Sequence, residues 1–238
     1  FLWQTPALAS WRQRGVIFLR YLGSLLLAVG ISAVILLPTF YALMQSKGIY
    51  TETKIHSRFE YFAPKMLGKL VPGSFNFNQM PSGQPNIYIG MLLMLGACLY
   101  FFNNRFDLRR RLIGAAISIF FIFSFCYEPL DLLWHAGQFP VWYPYRFSYL
   151  FSFWCIYLAA KVLQPDFKIK KRSAFILTLL IIAIYWYVGT LNLSYINSNQ
   201  RNIGLCFALI AVSCLCIPRT NSPRLYDALL VLLAVCDI

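Results

Sequence analysis

The sequence predicts an all-α protein, a polytopic bundle of about seven transmembrane helices, and three observations predict it. Of 238 residues, 59% are hydrophobic and 12% charged, with a mean hydropathy of +0.61. An ordinary soluble domain is about 45–50% apolar and about 25% charged. The apolar residues gather in runs that approach the roughly 17 to 25 residues a helix needs to cross a bilayer. The basic residues gather in short clusters between those runs. Disorder, a disulfide-stapled secreted module and an ordinary soluble enzyme are excluded.

Taken in order, the expected spans are residues 17–43, 87–102, 112–126, 145–163, 173–189, 203–217 and 225–238. The third and sixth are short and borrow flanking residues; the last ends while its apolar run is still in progress. Phe1 is not an initiator methionine and no cleavable leader precedes the first run, so the chain reads as the middle of a longer polypeptide. Residues 1–238 are expected to form one transmembrane domain, with outer loops at 46–86 and 127–144.

Orientation follows from the cations. One set of connections carries Arg12 and Arg14, Arg105 and Arg109 to Arg111, Lys168 with Lys170 to Arg172, and Arg219 with Arg224. By the positive-inside rule this set is cytoplasmic, which puts the N-terminal end inside and leaves three outer loops. The long 45–86 connection carries five basic residues, but its length weakens the bias. The net charge of +13 is thereby explained as topology signals and lipid-phosphate contacts, so no nucleic-acid partner is expected. All seven Cys fall in or beside apolar runs without a CxxC pair, and no metal or other cofactor is evident.

The outer loops differ chemically from the inner ones. In 63–71, Pro64 suits a first helical turn, and Met66, Leu67 and Leu70 form a stripe opposite Lys65 and Lys69. This predicts a short helix lying on the membrane surface. In 72–86, Gly and Pro set turns while the amides Asn76, Asn78, Gln79, Gln84 and Asn86 alternate with aromatics. That pattern is either a plain surface loop or one facing carbohydrate, because amides and aromatic faces suit sugar hydroxyls and C–H faces. The 127–147 stretch crowds aromatic rings, Glu128, Asp131 and His135 around one cation, Arg146.

Arg146 opens a span on the outer side, where the topology rule gives no reason for it. A guanidinium there suits a phosphate at the membrane surface, and the alternatives are a phospholipid headgroup or a pairing with Glu128 or Asp131. Glu128 and Asp131 lie three apart beside Pro129 and are candidates for acid and base, or for capping a turn. His135 lacks a second ligand in spacing and reads as a hydrogen-bonding group, with general base the alternative. Asn192-Leu193-Ser194 matches the glycosylation pattern, a common chance match.

The order of several of these residues resembles the bacterial YfhO family. They are Leu36-Leu37-Pro38-Thr39 with Ser46-Lys47, Gly83-Gln84-Pro85-Asn86-Ile87-Tyr88-Ile89-Gly90, and His135 to Pro140 leading to Tyr143-Pro144-Tyr145-Arg146-Phe147-Ser148-Tyr149-Leu150-Phe151. The resemblance spans nearly the whole chain and rests on order and spacing, not on one diagnostic motif.

It implies a GT-C-like membrane glycosyltransferase of the bacterial plasma membrane that moves a sugar from a polyprenyl-phosphate donor to an envelope polymer such as teichoic acid. It also implies an essential acid in a first outer loop upstream of this chain. On that basis Arg146 and Tyr145 are expected at the donor phosphate. Asn76, Gln79, Gln84, Asn86 and Tyr88 are expected at the sugar or acceptor, and Glu128, Asp131 and His135 are the candidate catalytic or pocket-shaping groups. Membrane lipids, the lipid-linked sugar and the polymer are the implied partners. A lipid-linked sugar transporter or a non-catalytic scaffold are the competing readings; Arg20, Lys161 and Asp227 lie near the inner ends of their spans, which argues against ion coupling.

Overall fold

The computed structural model describes residues 11–45, 55–60, 62–81, 83–135, 137, 139–140, 142–164, 169–217 and 223–236. The expectations on Ser46-Lys47, Lys168, Arg219 and the two chain ends lie outside them. Every element is helical, and among the described residues a single antiparallel bridge, Phe59 to Tyr127, is the sole strand-like pairing. The chain forms two compact units, Phe1–Lys54 and Ile55–Ile238.

The first unit contributes α1, Trp11–Gln45, apolar on all sides and interrupted by Pro38. Pro38 cannot donate to the ladder. One residue on, Thr39 Oγ1 donates to Ile35 O at 2.7 Å, a side-chain back-bond next to the Val34 carbonyl that Pro38 leaves without its ladder donor.

In the second unit the helices are α2 (Met91–Phe102), α3 (Leu108–Cys126), α4 (Glu128–Trp134), α5 (Ser148–Val162), α6 (Lys171–Thr190), α7 (Ser198–Cys216) and α8 (Pro223–Cys236). By length and composition Gly15–Ala42, Lys171–Thr190 and Ser198–Cys216 can cross a membrane, whereas Met91–Phe102, Ser148–Val162 and Tyr226–Cys236 are shorter apolar helices. The core is α2 on α5 and α6 on α7, with α2 also against α7. Small residues let the helices approach: a Cβ on Gly96 would lie 3.0 Å from the Ala159 Cβ. Trp154 Nε1 donates to Ser118 Oγ at 3.0 Å, tying α5 to α3 through a pairing that leaves neither group bare in lipid.

Two expected span starts move inward. Residues 87–90 are extended and largely buried, with Gly90 at φ 87°, so α2 begins at Met91 instead of 87. Non-helical backbone is tolerated at this depth because it is covered by protein and borders a cavity. Tyr145 at φ 62° is left-handed, which stops α5 from reaching back beyond Ser148.

The expected surface helix at 63–71 also differs. Ala63–Leu70 is a 3-10 helix, and Met66, Gly68 and Lys69 are buried. With about three residues per turn, positions 66 and 69 eclipse each other while 67 and 70 share a second face, whereas an α-helical count sets Lys69 about 60° from Met66 on the side away from Leu67 and Leu70. Lys69 therefore turns inward with Met66. Residues 128–134 of the expected aromatic loop are helical as well, since Pro129 suits a first turn and Glu128 and Asp131 complement the positive helix end.

The 63–73 segment docks on α6 and α7. Tyr185 OH donates to Leu70 O at 3.4 Å, and Gln200 Nε2 to Gly73 O at 3.1 Å. A Cβ on Gly204 would sit 2.6 Å from the Pro72 ring and 2.7 Å from the Tyr185 hydroxyl. Gly204→Ala is expected to lower the melting temperature in detergent. The ring cannot rotate away, so an overpacking cost of about 1–3 kcal/mol exceeds the roughly 1 kcal/mol of helix propensity gained. An unchanged or raised melting temperature would contradict this close packing.

Candidate functional site

A cavity of about 390 Å³ opens where residues 75–88 meet the turn before α5. Gln79, Gln84, Asn86, Tyr88, Tyr145 and Arg146 line it, together with Phe75, Tyr143, Tyr149 and three serine or proline positions near α5. Asn76 is not among the lining residues; its carbonyl accepts from Gln79 N at 3.1 Å and starts the turn at 77–79. No carboxylate lines the cavity among the described residues. It offers one cation, several amides and hydroxyls, and flat aromatic faces.

The turn carrying Arg146 is held at both ends. Tyr143 at φ 56° and Tyr145 at φ 62° occupy a backbone region rare for side chains other than glycine. Such a conformation persists where surrounding contacts impose it. Here Tyr143 N donates to Met80 O at 2.7 Å, and the Tyr143 ring stacks on Phe75 at 6.3 Å. On the other side Phe147 lies between Phe125 (4.9 Å) and Trp134 (5.0 Å), nearly parallel to both. Trp134 stacks in turn on Phe121 at 5.9 Å. Tyr145 and Phe147 are buried and Arg146 between them is exposed. Its guanidinium stays near the turn through an Nη2 hydrogen bond to Trp142 O at 2.8 Å. Arg146 thus precedes α5 by two residues and does not open the helix: it lies in the turn that follows left-handed Tyr145, and Phe147 is the N-cap.

A second cation lies behind the cavity wall. Lys69 is fully buried, and its Nζ donates to Ser74 O at 3.0 Å and to Gln79 Oε1. It lies 4.6 Å from the Tyr195 ring and 5.8 Å from that of Phe75. Burial lowers its pKa from 10.5 to about 8. Gln79 Nε2 donates to Ser74 O at 3.2 Å. Lysine only donates, so the orientation of this amide is fixed: flipped, its NH₂ would face an ammonium. Gln84 Oε1 accepts from Tyr195 OH, whose phenol burial pushes up to about 12.

Glu128, Asp131 and His135 form a separate buried cluster at α4, and none lines the cavity. Glu128 accepts from His56 N at 2.8 Å, from His56 Nδ1 at 3.2 Å when that nitrogen is protonated, and from Arg58 Nε at 2.5 Å. Burial alone would raise its pKa, but these donors outweigh it and hold the carboxyl below its ordinary range. With its oxygens occupied, Glu128 pins segment 55–60 to α4; Glu60 N to Cys126 O at 3.0 Å completes the clasp.

Asp131 is the opposite case. Burial, then Glu60 and Glu128, raise it to about 7, and its Oδ1 has no hydrogen-bond partner. His135 Nδ1 is 2.9 Å from Asp131 O and 3.6 Å from Asp131 Oδ1. A ring nitrogen that close to a carbonyl carries the proton, so Nε2 is the unprotonated one, and it too is buried without a partner. Burial lowers the His135 pKa. Burial, then Glu60 and Asp131, raise the Tyr145 phenol, which places Tyr145 between cavity and cluster.

Sequence spacing does not point to Lys69, Phe75, Tyr143 or Tyr195; only a threefold count from Met66 would have turned Lys69 inward. Groups of three or more His, Cys, Asp or Glu able to hold a metal are absent among the described residues.

A family model described as bacterial membrane protein YfhO matches residues 1–238. No curated protein and no solved structure matches the chain.

Proposed function

The chain belongs to the YfhO family of bacterial membrane proteins, and from that premise we propose that it forms the membrane part of a glycosyltransferase. The reaction passes a sugar from a polyprenyl-phosphate donor to an extracytoplasmic envelope polymer such as teichoic acid. In this reading the cavity faces outward and the Arg105 and Lys170 end faces the cytoplasm. The observation that carries the reading is the cavity itself: an exposed guanidinium among amides and aromatic rings, with no acid on its wall among the described residues.

Transfer from a lipid phosphate builds negative charge on the leaving oxygen, and a cation positioned beforehand stabilises it. Arg146 takes that role, with Tyr145 beside it. Gln79, Gln84, Asn86 and Tyr88 contact the sugar or the acceptor, while Asn76 shapes the turn from outside. The acceptor hydroxyl also needs a base. Glu128 is committed to Arg58 and His56, while Asp131 and His135 are walled off, so these three hold the wall and the acid comes from another segment.

The test is Arg146→Ala in the intact membrane protein, assayed with a radiolabelled polyprenyl-phosphate sugar. Losing one such group costs about 10²–10³-fold in turnover. The expected result is a loss of that size with normal insertion. Unchanged transfer would remove the reading.

A further inference from the structure

An amide on a cavity wall carries no charge, so what it offers a ligand depends on which end faces forward: its oxygen accepts and its nitrogen donates. For Gln79 and Gln84 that choice is made by side chains that do not line the cavity. Lys69 Nζ donates to Gln79 Oε1, and the Tyr195 hydroxyl, which burial keeps protonated, donates to Gln84 Oε1. Both oxygens are thereby taken from behind, so each amide turns its N–H edge and not its carbonyl to the cavity. Gln79 Nε2 gives one N–H to Ser74 O at 3.2 Å and carries a second.

The two donors come from different parts of the chain and are each held in place. Lys69 reaches Gln79 because the 3-10 winding of Ala63–Leu70 buries it with Met66. Tyr195 arrives from the turn between α6 and α7, 111 positions from Gln84. That turn is fixed by Ile196 N to Leu193 O at 3.1 Å and by the reciprocal capping box of Asn197 and Gln200 at the start of α7. Gly68 leaves room for the hydroxyl, since a Cβ there would lie 3.0 Å from it. The Lys69 ammonium lies 4.6 Å from the centre of the Tyr195 ring, an attraction that joins the two donors.

Packing alone does not account for Lys69. Its partners are a carbonyl, an amide oxygen and two rings, with no carboxylate among the described residues, so burying the ammonium costs stability. An apolar side chain of equal length would fill the same space, but it could not dictate the sense of an amide.

We propose that Lys69 and Tyr195 are positioning residues of the Arg146 cavity, holding Gln79 and Gln84 by their oxygens so that this wall donates hydrogen bonds and selects a substrate edge of acceptor oxygens. Resting on the sugar-transfer reading, this adds to the site two residues that touch no substrate themselves.

The test measures both KM values and kcat in the intact membrane protein, with radiolabelled polyprenyl-phosphate sugar and purified teichoic acid. Lys69→Met and Tyr195→Phe each remove one hydrogen-bond donor and keep the bulk. Each is expected to raise one KM about tenfold, the scale of one lost hydrogen bond, with kcat and insertion held. Once Gln79 is alanine, Lys69→Met adds nothing, and once Gln84 is alanine, Tyr195→Phe adds nothing, because each acts through its amide. A merely structural role would lower the melting temperature and add to the amide variants. Unchanged KM values in either single variant, or additive effects, would overturn the inference; with transfer still abolished in Arg146→Ala, the sugar-transfer reading would stand. A wild type without transfer, or an Arg146→Ala protein that retains it, removes that reading and this inference together. If Lys69→Met fails to insert, Tyr195→Phe decides alone.

Discussion

As the pH rises from about 8 toward 10, the wild-type protein gains stability relative to Lys69→Met. Lys69 is lowered from 10.5 to about 8, so between those values the unfolded chain binds a proton that the folded chain has released. The contribution of Lys69 to stability therefore rises with pH across that window. The shift corresponds to a penalty on the order of 3 kcal/mol for holding the charged form at neutral pH. Methionine keeps the stem volume and removes the penalty, so Lys69→Met is expected to melt higher than wild type at pH 7. Ser74 O keeps its bond from Gln79, and only Gln79 Oε1, which borders the cavity, is left open to water. If the ammonium is present to orient Gln79, the same variant loses sugar transfer while gaining stability. A variant that melts lower at pH 7 and follows the wild-type pH profile would show that Lys69 is an ordinary structural lysine.

Asp131→Asn has the opposite pH signature. Its folded pKa is raised from 3.8 to about 7, so the folded state holds the proton more tightly. Stability from this group is fully present below the unfolded value and is lost as pH rises toward 7. The loss is on the order of a few kcal/mol. Asparagine cannot ionise, so the variant and wild type should melt alike near pH 4, and the variant should melt higher at pH 8. Parallel curves across that range would mean that Asp131 ionises as freely as an exposed carboxylate. Glu60, also raised by burial and by Glu128, is present in both proteins, so the difference between them isolates Asp131.

Each of the seven apolar segments read from the sequence coincides with a helix, because the need to pair every backbone group in lipid leaves few alternatives. The boundaries were less legible where conformation overrode apolarity, as at Gly90 and Tyr145. Lys69 was misplaced because a 3.6-residue period was applied to a segment that winds with three. The clasp of His56 and Arg58 on Glu128 joins residues at least 70 positions apart, and nothing local to either partner announces it. Likewise the hydrogen bond from Tyr143 to Met80 brings the 75–86 and 143–149 stretches to one cavity, a register that composition does not encode. The residue types for that cavity were visible; their convergence was not.

The late start of α2 has a consequence for the lipid around it. Its 12 residues rise only about 18 Å, and the 15 of neighbouring α5 only about 22 Å, against a hydrocarbon thickness of about 30 Å. Extended residues 87–90 add about 13 Å at roughly 3.3 Å each, so the span is completed by backbone that protein must cover from lipid, because its N–H groups pair with no helical turn.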